Sequence, residues 1–114
     1  MDSVAIVEAF IREGLVGRNR SAVDQTVASP SVVGVTDLLQ TAFADLALIT
    51  LGPIFANADG SMVACFGQMH LRQVARFLHV DAVGREADVE FNGIYEITDG
   101  KISRMWVQLD FSAL

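Results

Sequence analysis

Residues 84–110 read GREADVEFNGIYEITDGKISRMWVQLD. Two runs rich in β-branched and aromatic residues, 86–98 and 101–111, flank a turn signal at Asp99-Gly100, so they predict two long strands joined by a tight turn. Alternate side chains of a strand point to opposite faces. In the second run, Ser103, Met105, Val107, Leu109 and Phe111 therefore share one face that is almost wholly apolar. Ile102, Arg104, Trp106, Gln108 and Asp110 share the other. A Trp beside a Gln and an Asp suits a pocket wall, where a large apolar surface carries a few polar groups. Parity alone equally admits a solvent face bearing one Trp. In the first run Tyr95 and Asn92 fall on opposite faces, and Gly93 between them, a residue that often marks a bulge, leaves open which of the two faces a pocket.

Working outward from this hairpin, further strands are predicted near 61–78, 53–56 and 47–51, with turns at Asn57–Gly60 and Asp81–Gly84. The texture before residue 46 is helical. Val4, Val7, Phe10, Ile11 and Leu15 recur at helical spacing and predict an amphipathic helix over 3–17, ended by Gly14 and Gly17. A short second helix is expected to begin at Ser21, with Asp24 in its first turn, and to end at Pro30. A third follows Thr36 or Asp37 and puts Leu38, Leu39, Ala42, Phe43 and Leu46 on one stripe. Helices grouped ahead of a mainly antiparallel sheet indicate an α+β fold.

The 114 residues fit one domain, 1–114, large enough for a core without disulfides or a structural metal. The single Cys65 cannot form an internal bridge and reads as a packed small hydrophobe. His70 and His79 have no acidic or thiol partner at ligand spacing, so no metal is expected. These features, and an N-terminus with Asp2 in place of a basic region, predict a cytoplasmic protein without a signal peptide. No membrane partner is expected either, since the longest uncharged stretch, Leu46–Ala58, is interrupted at Gly52-Pro53 and falls short of the ~20 residues a membrane helix needs. A net charge of −6 argues against nucleic acid and anionic membranes. With 52% hydrophobic and 19% charged residues, apolar surface is left over for a ligand pocket or a subunit interface.

The stretch from Gly84-Arg85 through Gly93-Ile94 and Asp99-Gly100-Lys101-Ile102, ending on Trp106 with Asp110 four residues on, resembles the SnoaL-like polyketide cyclases. These belong to the larger superfamily of nuclear-transport-factor-like and ketosteroid-isomerase-like domains. Upstream, LLQTAFADLAL (38–48) resembles the family's third helix and its acidic Phe-x-Asp segment. The resemblance implies N-terminal helices packed on a strongly curved sheet, a cone-shaped half-barrel with an internal apolar pocket. It also implies that Asp110 is the general acid/base of an intramolecular aldol closure that uses no cofactor. One carboxyl can take a proton from beside a carbonyl and return it to the new hydroxyl, and burial beside Trp106 would raise its pKa toward neutrality. Counted without gaps, the histidine of the family's Gly-Thr-His-x-Gly strand falls on Gln73. An amide can donate a hydrogen bond to a carbonyl or oxyanion but cannot exchange a proton. His70, three residues earlier, has the opposite parity and could replace it only through a bulge.

The expected function is therefore a cyclase-like enzyme of secondary metabolism, of lyase or isomerase type, acting on a small, mostly apolar, oxygenated molecule. Asp110 and Gln73 are the catalytic candidates, and Trp106, Gln108, Tyr95 and His70 are the substrate contacts. The alternative is a non-catalytic ligand-binding or dimerisation domain, which the loss of the strand histidine favours. A related isomerase would need Tyr95 as phenolic donor, and an epoxide hydrolase would need two carboxylates and an Arg around one water; a hydroxylase is a further relative on the same fold. If the Trp106 face lines the pocket, the row Met105, Val107, Leu109 and Phe111 faces outward and predicts a homodimer. Glu90 and Glu96 read as a hydrated rim, Arg72 and Arg104 as surface ion pairs, and His79 as exposed beside a turn.

Overall fold

Asp2 starts the first helix, its carboxylate accepting a hydrogen bond from the Ala5 N–H at 2.7 Å and so satisfying one of the donors that a helix leaves open at its beginning. A computed structural model describes all 114 residues. Helix α1 (Ser3–Ala9) runs on without a break into a π-helical segment, Phe10–Val16. The predicted helix over 3–17 thus holds, but its second half is wound more widely. The wider turn keeps Phe10, Ile11, Gly14 and Leu15 together on the buried side.

Helix α2 (Arg20–Thr26) is capped by Asn19, whose side chain accepts from Ala22 N–H at 3.3 Å. The expected start at Ser21 lies inside the helix. Val27 turns extended and bridges to Ile102, so α2 ends there and Pro30 is not its terminator. Pro30 instead opens helix α3 (Pro30–Ala42), behind the Ser29 cap, at a position where its missing N–H is no loss. The expected start at Thr36 or Asp37 falls in the middle of α3. Leu39 and Ala42 of the predicted stripe are buried, whereas Leu38 is exposed.

Two side chains tie the ends of these helices to each other. Arg18 donates to the Gln40 and Phe43 carbonyls at 2.9 and 2.5 Å. Gln40 donates in return to the Gly14 and Leu15 carbonyls at 3.1 and 3.0 Å. Each helix terminus thus has its open carbonyls satisfied by the other.

Four strands, β1 (Ala47–Ala56), β2 (Met62–Arg72), β3 (Glu86–Thr98) and β4 (Lys101–Leu109), form an antiparallel meander in that order. The α+β class is as expected, and the curved sheet stays open. The two strands expected over 47–56 are one, with register shifts on either side of residues 49 and 52–53. Strand β2 stops at Arg72, short of the expected residue 78. Asp99 and Gly100 both have positive φ, 52° and 77°, the backbone that twists a two-residue hairpin to match its strands. Past the turn, pairing steps from Ile97↔Ile102 to Glu96↔Arg104. The bulge at Ser103 explains why Ile102 is fully buried while Arg104, of the same parity, faces out.

The concave face carries Val63, Cys65, Met69 and Leu71 of β2 and Val89, Phe91 and Tyr95 of β3 against the helices. Gly67, directly opposite Phe91 in the register, interrupts the row on β2. A Cβ on Gly67 would lie 2.5 Å from Phe91 Cζ and 2.6 Å from the Thr50 carbonyl oxygen, so the aromatic ring occupies the space a side chain would take. Gly34 in α3 has nothing within 4 Å of such an atom. Gly67→Ala should therefore destabilise the fold by at least about 2 kcal/mol through overpacking against backbone. Gly34→Ala should stabilise it by about 0.5–1 kcal/mol. Urea denaturation of the two variants measures both signs.

Candidate functional site

Between the helices and the concave face lies an open cavity of about 800 Å³, lined by 20 residues of which 14 are hydrophobic. Phe10, Ile11 and Leu15 come from the π-helical continuation of α1, and Leu39 from α3. Met69, Phe91 and Tyr95 come from the central strands, and Phe77, Leu78 and His79 from the segment between β2 and β3. Thr36 also lines it, but its hydroxyl donates to the Val32 carbonyl at 2.9 Å.

Strand β4 presents Met105, Val107 and Leu109 to this cavity, with Phe111 just beyond the strand. The division of β4 into an apolar and a mixed face holds beyond the bulge at Ser103, though not for Ile102 before it, and the face expected to point outward points in. Its pairing decides this, since Leu109, Val107 and Met105 stand opposite Phe91, Gly93 and Tyr95, and those belong to the concave row. Phe111 completes an aromatic cluster, stacked on Phe43 at 5.7 Å and edge-on to Phe77 at 5.8 Å. The expected dimer face is therefore part of the pocket.

Trp106 correspondingly lies on the convex face, 47% exposed, with the Arg104 guanidinium 4.9 Å above its ring. It does not line the cavity. Gln108 and Asp110 share its parity, yet at the end of the strand they reach the cavity mouth, together with Glu90, Asn92 and His79. His79, read from sequence only as a turn residue, is thus at the mouth; nothing in its neighbours pointed there.

Asp110 leaves the sheet through a hydrogen bond from its N–H to the Glu90 carbonyl at 2.9 Å. Its carboxylate then accepts from Ser112 N–H at 3.0 Å, capping the short 3₁₀ turn Phe111–Ala113. Ser112, through its side chain first and its backbone N–H second, holds the exposed carboxyl below the usual Asp value. The expected rise does not occur, because Trp106 stands on the outer face and the side chain and backbone of Ser112 stabilise the charged form.

Gln73 is fully buried and is not among the residues that line the cavity. Its Nε2 donates to the Val80 and Ala75 carbonyls at 2.8 and 3.0 Å, and its Oε1 accepts from Ala82 N–H at 3.2 Å. Both its donors and its carbonyl oxygen go into holding the segment that carries Phe77, Leu78 and His79. It is not available to a substrate in this arrangement.

His70 lies on the convex side, against the expectation of a substrate contact. Its Nδ1 is 2.8 Å from Asp88 and its Nε2 3.6 Å from Glu86. The hydrogen bond to Asp88 raises the imidazole above its ordinary pKa, with Glu86 adding to the effect. Tyr95 is the sequence candidate that does face inward, nearly fully buried, its ring edge-on to Phe10 at 6.4 Å. Asn92, on the other face of β3, is exposed. Cys65 is buried, and desolvation pushes its thiol up to about 11, which keeps it protonated and unreactive.

No protein-family model matches the sequence, and no curated protein matches it. Solved structures do. A "putative polyketide cyclase" of Pseudomonas putida KT2440 superposes with a TM-score of 0.80 at 15% identity, covering 97% of this chain and 93% of that one. A "Putative SnoaL-like polyketide cyclase" of Jannaschia sp. CCS1 gives 0.78 at 19% identity, covering 97% and 87%. An NTF2-like protein of Burkholderia thailandensis E264 gives 0.69 at 14% identity, covering 96% and 92%. The chain has the SnoaL-like fold. At these identities the likeness concerns backbone architecture, and the site must be read from this chain's own residues. No helix in it is long and apolar enough to cross a membrane.

The His70 cluster has a pH consequence. Because the folded imidazole titrates above its unfolded value of 6.5, its pairing with Asp88 stabilises the fold fully below that value, and this stabilisation is lost as pH rises through the folded pKa. An NMR titration should find His70 shifted up in the intact protein and shifted back toward the ordinary value in Asp88→Asn.

Proposed function

We propose that this SnoaL-like chain takes up one small, mostly apolar, oxygen-bearing molecule in its cavity and performs cofactor-independent acid/base chemistry of the polyketide-cyclase type on it. The observation that carries this reading is the cavity itself, of about 800 Å³ and largely apolar, with the ionisable Asp110 at its mouth. Such a volume falls in the usual range of small-molecule sites, and an apolar wall with few polar groups fits a ligand whose oxygens are sparse. Asp110 is ionised at neutral pH and so available as a proton acceptor. A molecule seated over it would exclude water, raise its pKa and bring it closer to the value that general-base catalysis needs.

A second reading, ligand binding without catalysis, is favoured by Gln73, whose amide is consumed by the segment between β2 and β3. In the catalytic reading, incubation with a panel of linear polyketide esters yields a cyclised product from at least one of them. Asp110→Asn, nearly isosteric but unable to exchange a proton, should then lower turnover by roughly 10²–10⁴-fold with binding largely retained. Undiminished turnover in that variant would remove Asp110 from the chemistry. Binding without conversion by the unaltered protein would leave the second reading.

We further propose that the protein works as a homodimer through the convex face. Phe55, Ala64, Ile94 and Trp106 are register neighbours on four successive strands, and Phe55, Ile94 and Trp106 are each about half exposed. A continuous apolar row across a sheet is an aggregation liability in water, and a two-fold axis lets the same row cover itself. Sedimentation at micromolar concentration should give a dimer, and Ile94→Glu with Trp106→Glu should give a folded monomer. A monomeric parent protein would contradict the proposal.

A further inference from the structure

Tyr95 is the only tyrosine of the chain, and its side chain is 2% exposed. Its surroundings are apolar: Met105 opposite it in the register, Phe10 against its ring, and Val107 beside Gly93. No protein group accepts from or donates to its hydroxyl, and burial alone dominates the upward displacement of its pKa. No side-chain nitrogen or oxygen in the protein is both sealed off and unpartnered. The hydroxyl is therefore unsealed, and the space it opens to is the cavity that Tyr95 lines.

Gly93 sets this direction. A Cβ on Gly93 would come within 3.0 Å of the Tyr95 ring and 3.1 Å of its hydroxyl. The ring thus lies back along its own strand over the bare glycine. Because burial keeps the phenol neutral, it enters any contact with its proton in place. Of the other polar groups of the cavity, Glu90, Asn92, Gln108, Asp110 and His79 are at the mouth, and the buried Thr36 hydroxyl donates its proton to the Val32 carbonyl.

We infer that the Tyr95 hydroxyl is the inner recognition point of the cavity, donating a hydrogen bond to a carbonyl oxygen at the leading end of the ligand. This rests on the reading that the cavity binds an apolar, oxygen-bearing molecule, and it adds the ligand's orientation and chemical class. The ligand enters carbonyl first, places an apolar body between α1 and β4, and leaves its polar end at the mouth near Asp110. A hydrocarbon of the same shape is disfavoured because it covers the phenol without pairing it, and an unpaired buried donor is penalised more than a paired one is rewarded.

The test uses 9-fluorenone and fluorene, which differ by one carbonyl, with the parent protein and Tyr95→Phe. Protein labelled with 3-fluorotyrosine gives a single ¹⁹F resonance that reports on this side chain alone. The parent protein should bind fluorenone about fivefold to tenfold more tightly than fluorene, and fluorenone should move the ¹⁹F resonance differently from fluorene. Tyr95→Phe should lose the preference while holding fluorene at least as tightly as the parent protein does, since no donor is then left unpaired. If both probes bind the parent protein equally, or if Tyr95→Phe keeps the preference, the inference about Tyr95 is overturned and the cavity reading survives. If neither probe binds, both are overturned. Should Tyr95→Phe fail to fold, the preference and the ¹⁹F response of the parent protein decide the matter.

Discussion

The ring of Phe91 fills the volume that any side chain on Gly67 would need, and the ring of Tyr95 does the same above Gly93. Both glycines belong to the concave face of the sheet's central pair of strands. Aromatic rings that lie on bare backbone rather than standing up toward the helices cover the sheet with apolar surface while leaving height above it. That height is the cavity. A Cβ on Gly67 forces the ring up or the strands apart, and one on Gly93 presses Tyr95 and Val107 back by a few tenths of an ångström, so core packing and the shape of the binding space are linked most strongly at Gly67.

The rest of the structure frames that space from its sides. The π-helical turn of Phe10–Val16 puts Phe10, Ile11 and Leu15 on one wall, and the reciprocal bonds of Arg18 and Gln40 hold that wall at a fixed spacing from α3. Gln73 secures the opposite rim by satisfying three backbone groups of residues 75–82. A histidine, with two ring nitrogens, could not make all three bonds. Gln73 therefore serves a structural purpose in this chain, holding the segment between β2 and β3.

Much of the sheet was legible in the sequence because strand propensity and turn chemistry agree along 86–109. Strand β3 ends as expected at Thr98, and Asp99-Gly100 forms the turn its residue types favour. The helix starts were less legible. Asn19 and Ser21 are both good caps, and Arg20, which lies between them, pairs with Asp24 and Asp37 in a way only the folded chain reveals. The first turns of α3 contain Val32, Val33, Gly34 and Val35, poor helix formers of which only Val32 is fully buried, so local propensity gave little sign of the helix there. Parity divided β4 correctly beyond Ser103 but could not foresee the bulge there or say which face is concave, since both faces carry large apolar residues. The register against β3 answers that, and a register is a property of two strands. The same register has no bulge at Gly93, which turns Tyr95 inward. Asp110 could be singled out only through family resemblance, while its bond to Ser112 and the loop partners of Gln73 left no sign in residue type.

The orientation of β4, with Met105 inside and Trp106 outside, is the claim on which the site stands. The chain's four methionines offer a direct measurement of it. With ¹³C-methyl methionine, a bound apolar probe such as fluorene should show NOEs to the methyl groups of Met69 and Met105, which line the cavity, and none to Met62 or Met1, which do not. Contacts to Met62 in place of Met105, or a probe that touches none of the four, would contradict the account.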